Sequence, residues 1–217
     1  MQSAKCAAAA NRLWMARAED FAGYIFDYGG VLVHHQTEGE QRRMADLAGI
    51  PSERFSELYW STRIDYDKGL TSGPQYWAAL GLSAGKTLTP AVIAELTEID
   101  STTWMHFDEP MWSWIEQLRG AGKRVAMLSN MPPDLGEALK ARTSRLRYFD
   151  QVTLSYEVLS VKPEPEIYEH CLEGLGTAPG DTIFFDDRIA NVRGAEMLGI
   201  QAVEFLNRDA VLQRFRG

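Results

Sequence analysis

The sequence has only two cysteines, Cys6 and Cys171, and no CxxC pair. This excludes a disulfide-stapled scaffold and gives no support to a cysteine zinc site. No apolar run approaches the roughly 18 residues that a membrane-spanning helix needs. The small-residue run at 6–10 is too short and too weakly hydrophobic for a secretory signal. We therefore expect a cytoplasmic protein without a membrane partner.

Basic side chains are fewer than acidic ones, 22 against 30, which gives a net charge of −8. A nucleic-acid-binding surface needs clusters of Lys and Arg, so this balance argues against a nucleic-acid partner. The 217 residues suffice for one sizeable domain, or for a domain that carries a smaller insert. Residues 1–20 are an N-terminal extension, either a short helix or an unstructured leader, and they indicate nothing about function. No sequence feature indicates the oligomeric state.

Residues 24–32 (YIFDYGGVL) are the most informative stretch of the chain. A short apolar run bounded by turn residues is typical of a buried strand. Asp27 would then lie at the carboxyl end of this strand, where open α/β sheets bind their ligands. Gly29 and Gly30 allow the main chain to approach an ion or a phosphate closely. An ordinary turn after a strand is the alternative, and this segment taken alone favours it.

Residues 37–100 carry no strand pattern. A capping-box sequence at 37–40 begins the first helix. Helices are predicted at 41–48, 52–66, 74–80 and 90–100, with breaks at 49–51, 67–69 and 81–83. Most aromatic residues of this block, Trp60, Tyr66 and Trp77 among them, are interpreted as its core rather than as substrate contacts, and one or two could face a cleft.

From residue 101 onward, strand patterns alternate with helical ones. Strands are predicted at 123–128, 149–154, 182–185 and 201–205. Helices are predicted at 112–119, 134–141, 164–172 and 190–198, with a short one from 209. This alternation predicts βαβ units and a mostly parallel sheet with helices on both faces. The fold class is therefore α/β, a doubly wound parallel sheet with an inserted helical block.

Polar residues follow three of these strands, and a lysine precedes a later helix. These residues are Asp27, Ser129, Asn130, Asp186, Asp187 and Lys162. The carboxyl ends of parallel strands share one sheet edge, so these groups could converge there. Neighbouring carboxylates repel each other unless a cation neutralises them, and oxygen ligands favour Mg²⁺. The lysine and the hydroxyl suit a phosphoryl group, and one aspartate remains as a nucleophile.

Four segments together resemble the haloacid dehalogenase superfamily over nearly the whole chain from about residue 24. They are FDYGGVL at 26–32, LSN at 128–130, VKP at 161–163 and FDDRIANV at 185–192. The resemblance is nearest to the capped phosphatases that include the N-terminal phosphatase domain of soluble epoxide hydrolase and bacterial sugar-phosphate phosphatases. It implies a Rossmann-like core of residues 21–36 and 101–217, a helical cap of residues 37–100, and dependence on Mg²⁺. The implied substrate is a small-molecule phosphate ester.

The resemblance also implies a role for each matching residue. Asp27 matches the nucleophile, and Gly29 the position whose carbonyl binds the metal. Ser129 and Asn130 match donors to the phosphate and substrate. Lys162 matches the lysine that steadies the nucleophile and the phosphate. Asp187 matches a direct metal ligand, Asp186 a water-mediated ligand or orienting group, and Asn191 a hydrogen-bond partner of these acids.

One position departs from this pattern. Phosphatases of the superfamily usually carry a second aspartate two residues after the nucleophile, as a general acid and base, and here that residue is Gly29. A histidine at 34 or 35 could donate a proton instead, although exposed histidines beside loops are commoner.

Other interpretations remain open. Asp186 and Asp187 could cap the following helix, and Ser129 and Asn130 could be ordinary turn residues. At the level of function, the alternatives are a metal-independent dehalogenase and a catalytically weak binding or assembly module. Paired acids without a cation argue against the dehalogenase.

Overall fold

A five-stranded parallel sheet forms the centre of the computed structural model, which describes residues 21–215. Its strands are β1 (Gly23–Phe26), β2 (Arg124–Ser129), β3 (Gln151–Leu154), β4 (Thr182–Asp186) and β5 (Gln201–Glu204). Their order across the sheet is β3-β2-β1-β4-β5. The central strand β1 therefore has β2 on one side and β4 on the other, which brings three strand ends together.

Helices cover both faces of the sheet. The helices of the described chain are α1 (Glu38–Ala48), α2 (Ser52–Ser61), α3 (Ile64–Asp67), α4 (Gly73–Ser83), α5 (Pro90–Thr103), α6 (Glu109–Gly120), α7 (Pro133–Arg142), α8 (Ser155–Val158), α9 (Pro165–Leu175), α10 (Ile189–Met197) and α11 (Arg208–Phe215). Tyr24 and Phe26 pack into the apolar cluster that contains α6 and α11, whereas Ile25 packs into the cluster with α9 and α10. Because both faces of β1 are buried, its sequence is apolar throughout. The predicted Rossmann-like α/β fold is confirmed.

Helices α1 to α5 lie between β1 and β2 and have an apolar cluster of their own, which includes Phe55, Tyr66 and Trp77. We call these five helices the helical block. The capping box is present at the start of α1, where Thr37 and Glu40 bond to each other's backbone N–H. The prediction that Tyr66 and Trp77 belong to this core is confirmed.

Two short segments join the helical block to the sheet, and they pair with each other. The N–H of His34 donates to the carbonyl of His106 at 2.8 Å, and the N–H of Asp108 donates to the carbonyl of Leu32 at 3.0 Å. An isolated antiparallel bridge between Val33 and Phe107 lies in the same region. The entry and exit of the helical block are therefore side by side.

Several predicted helix boundaries in the helical block are wrong. The helix expected at 52–66 is two helices, because the chain turns at 62–63 and directs Arg63 inward to Asp67 and Asp100. The break expected at 81–83 is absent, since α4 continues through Ser83. Gly81 lies against the Leu88 side chain, where a β-carbon would be 2.7 Å from its Cγ. This glycine serves close packing rather than a turn.

Helix α5 extends three residues beyond the expected boundary at 100. Asp100 explains the extension, since its buried carboxylate accepts hydrogen bonds from Gln36, Tyr59 and Arg63. Residues 1–20, for which a short helix or an unstructured leader was considered, lie outside the described residues. Among residues 21–215 no helix combines the length and the hydrophobicity needed to cross a bilayer.

Candidate active site

The carboxyl ends of β1, β2 and β4 open into one cavity of about 280 Å³ between the sheet and the helical block. Asp27 directly follows β1, Ser129 ends β2, and Asp186 ends β4. The sheet register pairs Phe26 with Met127 on one side and with Phe185 on the other, so the residues that follow lie level with one another. Asp27, Ser129, Asn130, Lys162, Asp187 and Asn191 all line this cavity.

Lys162 is the buried cation of the site. Its Nζ lies 2.8 Å from Oδ1 of Asp27 and 2.6 Å from Oδ2 of Asp186, and it donates to the carbonyl of Leu128 at 3.0 Å. Burial alone would lower the pKa of Lys162, but the carboxylates of Asp186 and Asp27 outweigh it and raise that pKa. Lys162 therefore stays charged and ties the nucleophile candidate to the end of β4.

Asp27 is held by the loop that follows it and by Lys162. The N–H of Tyr28 donates to its Oδ1 at 2.6 Å. Burial raises the pKa of Asp27, Lys162 opposes this effect, and the charges of Asp186 and Asp187 add to it. A further positive charge near these acids would therefore favour the ionised, nucleophilic form of Asp27.

Three carboxylates offer oxygens to such a charge. One ligand atom from each of Asp27, Asp186 and Asp187 lies within 4.8 Å of the other two. With one lysine among them, the cluster carries an excess of negative charge. An oxygen-only donor set of this kind fits a hard divalent cation such as Mg²⁺ and does not favour Zn²⁺.

Asp186 and Asp187 have different surroundings. Asp186 is fully buried and accepts hydrogen bonds from Lys162, from Asn191 Nδ2 at 3.0 and 3.1 Å, and from the N–H of Arg188 at 2.8 Å. Asp187 is partly exposed, and its Oδ2 lies 3.1 Å from Nε2 of His35. No side-chain cap bond is found at the start of α10, so neither acid serves as the helix cap that was considered.

Asn130 faces the lysine loop as well as the cavity. Its Nδ2 donates to the carbonyl of Lys162 at 3.0 Å, and its Oδ1 accepts from the N–H of Lys162 at 2.8 Å. The side chain therefore fixes the loop that carries the lysine, in addition to any contact it makes with a substrate. Ser129 is buried beside it.

The loop after Asp27 depends on its second glycine. Gly30 has φ of 73°, in the left-handed region. A β-carbon there would lie 2.6 Å from Nε2 of His35 and 2.8 Å from Oδ2 of Asp187. Only glycine combines this backbone conformation with so close an approach. His35 lines the cavity, whereas the ring of His34 lies 4.0 Å from Asp108, and both histidine side chains are largely exposed.

Several cavity residues had no signal in the sequence. Trp104, Arg63 and Asp67 come from the helical block or its end, where no motif marks them. Trp60 is an aromatic residue of the block that faces a cleft rather than the core, because its side chain is 44% exposed and lines the cavity. The turn at 62–63, unlike a straight helix, brings Trp60 and Asp67 to the same cavity.

Three consecutive residues of the helical block contact the sheet domain beside the cavity. Tyr66 donates to Asp134 Oδ2 at 2.7 Å, and Lys68 donates to Glu164 Oε1 at 2.6 Å. Between them, the carbonyl of Asp67 accepts a short hydrogen bond from Ser155 Oγ. These contacts fix α3 against the rim of the site.

Known proteins resemble this chain in sequence and in fold. A sesquiterpene phosphatase of Aspergillus oryzae (astK) is 27% identical over 197 residues, covering 90% of this chain and 95% of that protein. A D-ribitol-5-phosphate phosphatase of Bacteroides thetaiotaomicron is 25% identical, covering 83% of this chain and 89% of that protein. A haloacid dehalogenase family enzyme of the same bacterium, crystallised with magnesium and inorganic phosphate, superposes with a TM-score of 0.69. It shares 23% identity and covers 84% of this chain and 93% of its own, a likeness that establishes the fold.

The family model of haloacid dehalogenase-like hydrolases matches residues 21–199, the span that holds every candidate site residue. Strands β1 to β4, the four motifs and the cavity at the strand ends lie within this span. The chain therefore belongs to the haloacid dehalogenase-like hydrolases.

Proposed function

We propose that this hydrolase is a Mg²⁺-dependent phosphomonoesterase that acts on a small phosphorylated metabolite through an aspartyl-phosphate on Asp27. The observation that carries the proposal is the placement of Lys162 between Asp27 and Asp186, with Asp187 beside them. A buried ammonium next to a carboxylate nucleophile provides charge for the oxygens of a transferring phosphoryl group.

The oxygen donors fit Mg²⁺, for which we assign Asp27, the Gly29 carbonyl and Asp187 as direct ligands and Asp186 as a ligand through water. When bound, the ion would neutralise the acidic cluster and offset charge on the phosphoryl oxygens. Ser129 and Lys162 hold the phosphoryl group, and Asn130 holds the Lys162 loop. Asn191 orients Asp186 through the hydrogen bonds described above.

The reaction has two displacements at phosphorus. In the first, a carboxylate oxygen of Asp27 forms a bond to phosphorus while the ester P–O bond breaks, and the leaving alkoxide takes a proton from water. In the second, a water oxygen attacks phosphorus and the bond to Asp27 breaks, which regenerates the carboxylate and releases inorganic phosphate. The proton that this water loses neutralises the hydroxide formed when water protonated the alkoxide. The sum is one ester and one water converted to one alcohol and one phosphate.

We further propose that residues 37–100 act as a cap over a core of residues 21–36 and 101–217. The separate apolar cluster of the helical block and its adjoining entry and exit segments support this division. Closure over the cavity would exclude bulk water, which strengthens the electrostatic effect of Lys162.

Relatives named for a ribitol phosphate and for a sesquiterpene differ in the alcohol that they release. Both names refer to a phosphate ester, and the phosphoryl group is the part of the substrate on which Asp27 and Lys162 are proposed to act. A sugar phosphate is one candidate for the substrate of this chain.

Hydrolysis of 4-nitrophenyl phosphate, with Mg²⁺ and with EDTA, tests the proposal. We expect turnover that requires Mg²⁺ and that falls by several orders of magnitude in Asp27→Asn, which keeps the shape but removes the charge. Beryllium fluoride, a stand-in for the phosphoryl group, should inhibit the wild type. Turnover of 2-haloacids unaffected by EDTA would instead indicate a dehalogenase, and no turnover of either substrate class would indicate a binding module.

A further inference from the structure

We propose that Trp60 and Trp104 select a hydrophobic leaving group, so that the substrate is the phosphate monoester of an apolar alcohol rather than of a polyol. This inference rests on the proposed phosphatase function and names its substrate class. It arises from the cavity walls beyond the acidic cluster, which the phosphoryl chemistry does not use.

Trp104 forms the cavity wall next to the loop that follows Asp27. Its ring covers Gly29, where a β-carbon would lie 3.2 Å from Cζ3. Its indole N–H donates to Oη of Tyr59 at 3.3 Å, and its carbonyl accepts from Oη of Tyr28 at 2.7 Å. Because these polar atoms are bonded within the protein, the indole offers the cavity an apolar surface.

Trp60 extends this wall toward the cavity mouth. Its ring meets that of Trp104 edge to face, with centroids 6.3 Å apart, and also packs against Tyr59 at 4.8 Å. It nevertheless remains 44% exposed, whereas Tyr59 and Trp104 are buried. A large aromatic face left open beside a reaction site is typical of a ligand contact. The leaving group would run from Asp27 along Trp104 and then Trp60.

Aliphatic side chains also line the cavity. Met131, Pro132 and Leu135, which follow β2, line the same cavity, and Met131 and Leu135 are buried apolar residues. A leaving group would therefore lie between aromatic rings and aliphatic side chains. The cavity volume of about 280 Å³ is close to the lower end of the range for small-molecule sites.

The polar residues of the helical block in this cavity bond to one another. Nε of Arg63 donates to Asp67 Oδ1 at 3.1 Å, and its Nη1 donates to Asp100 Oδ2 at 2.9 Å. A polyol chain would need a separate donor or acceptor for each hydroxyl group that it buries. An apolar chain needs none, and this difference favours the hydrophobic alcohol.

The test compares n-octyl phosphate with ribitol 5-phosphate. Both are esters of primary alcohols, so their chemical reactivity is matched. A difference in kcat/KM between them therefore reports how the cavity walls bind the leaving group. We expect kcat/KM to be at least about tenfold higher for the octyl ester. A wild type that hydrolyses ribitol 5-phosphate as well as or better than octyl phosphate would overturn the inference and leave the phosphatase function standing.

Trp60→Ala tests whether the aromatic wall causes the preference for octyl phosphate. We expect kcat/KM for octyl phosphate to fall about tenfold, while the value for ribitol 5-phosphate stays within about twofold. Leu82→Ala is the matched control, because Leu82 is an exposed apolar residue of α4 that does not line this cavity. Leu82→Ala should leave kcat/KM unchanged for both substrates. Equal losses for both substrates in Trp60→Ala would mean a structural role and would contradict the proposal.

Binding provides a readout that does not depend on turnover. Octylphosphonate, which cannot be hydrolysed, should bind the wild type more tightly than methylphosphonate in calorimetry, and Trp60→Ala should remove most of that difference. If the wild type hydrolyses none of these esters and 4-nitrophenyl phosphate also fails, the phosphatase function is wrong. Equal binding of the two phosphonates would contradict the hydrophobic wall independently.

Discussion

The indole ring of Trp104 occupies the space into which a side chain at position 29 would grow: a β-carbon on Gly29 would lie 3.2 Å from Cζ3 of Trp104. Many phosphatases of this superfamily carry an acid at the position of Gly29. Here an aromatic residue 75 positions later in the chain fills that place. In this chain, the position that would carry the acid is therefore bounded by an apolar ring.

Gly29→Asp should destabilise the protein unless Trp104 is reduced in size. The new β-carbon is too close to the ring, and overpacking of this kind costs about 1–3 kcal/mol. In Gly29→Asp/Trp104→Leu the cost should be smaller than the sum of the two single changes. Urea unfolding of the four proteins measures this coupling, and additive free energies would show that the two positions do not interact.

In the wild type, the rate at which Asp27 is phosphorylated should depend steeply on the acidity of the leaving group. No carboxyl group at position 29 can protonate the departing oxygen, and general acid catalysis is typically worth about 10²–10⁴-fold. We expect 4-nitrophenyl phosphate to phosphorylate Asp27 much faster than phenyl phosphate, and octyl phosphate to be slower again. Rapid-quench measurement of the phosphoenzyme gives these rates. Equal rates across the series would reveal another proton donor.

Lys162→Met should destabilise the metal-free protein by about 3–5 kcal/mol, because it leaves Asp27 and Asp186 buried without their cation. Unfolding in EDTA measures the loss, and Mg²⁺ should recover part of it. Lys140→Met is the control, since Lys140 forms ion pairs with Glu137 and Glu157 at the surface, where such pairs contribute little to stability. A loss for Lys162→Met no larger than for Lys140→Met would contradict the role of the buried ion pairs.

Asp187→Asn should weaken Mg²⁺ binding at least tenfold and reduce turnover with it, because it removes a charged oxygen ligand from the cluster. Calorimetric titration with Mg²⁺ is the measurement. Asp181→Asn is a suitable control, since that exposed acid lies before β4 at the other end of the strand. Unchanged Mg²⁺ affinity in Asp187→Asn would remove this residue from the proposed ligand set.

Asp67 should make the stability of the helical block depend on pH. Burial raises the pKa of Asp67 from 3.8 to about 6, although Arg63 opposes this effect. The charges nearest to it are Arg63, Asp100 and Arg188. Because the folded-state pKa is higher than that of the unfolded chain, the stability that Asp67 contributes is present below about pH 4. It is lost as the pH rises through about 6.

Relative to Asp67→Asn, the wild type should therefore lose about 3 kcal/mol of unfolding free energy between about pH 4 and pH 7. Unfolding of both proteins by urea at several pH values measures the difference. Asp65→Asn, an exposed change on the same helix, should run parallel to the wild type. A constant difference between the wild type and Asp67→Asn would contradict the raised pKa.

The sheet and the acidic end of the site are predictable from sequence because both depend on local patterns. Asp27 and Asp186 each end a buried apolar run, and parallel strands bring such ends to one edge. The contact between Asn130 and the Lys162 main chain joins two loops, and no local pattern encodes it. The sequence could not single out Trp60 as the aromatic residue that faces the cavity for the same reason, since its exposure depends on the turn at 62–63.

Tyr28 connects the loop after Asp27 to the segment that leaves the helical block. Its hydroxyl group bonds to the carbonyl of Trp104, and the Trp104 ring lies on Gly29, so the exit segment of the helical block is fixed to the nucleophile loop at two points. The entry segment pairs alongside at His34 and His106. The segments that connect the helical block to the sheet therefore lie next to the cavity. If residues 37–100 move as the proposed cap, Trp104 would move against the loop that carries Asp27, so opening of the cavity would also displace the surroundings of that aspartate.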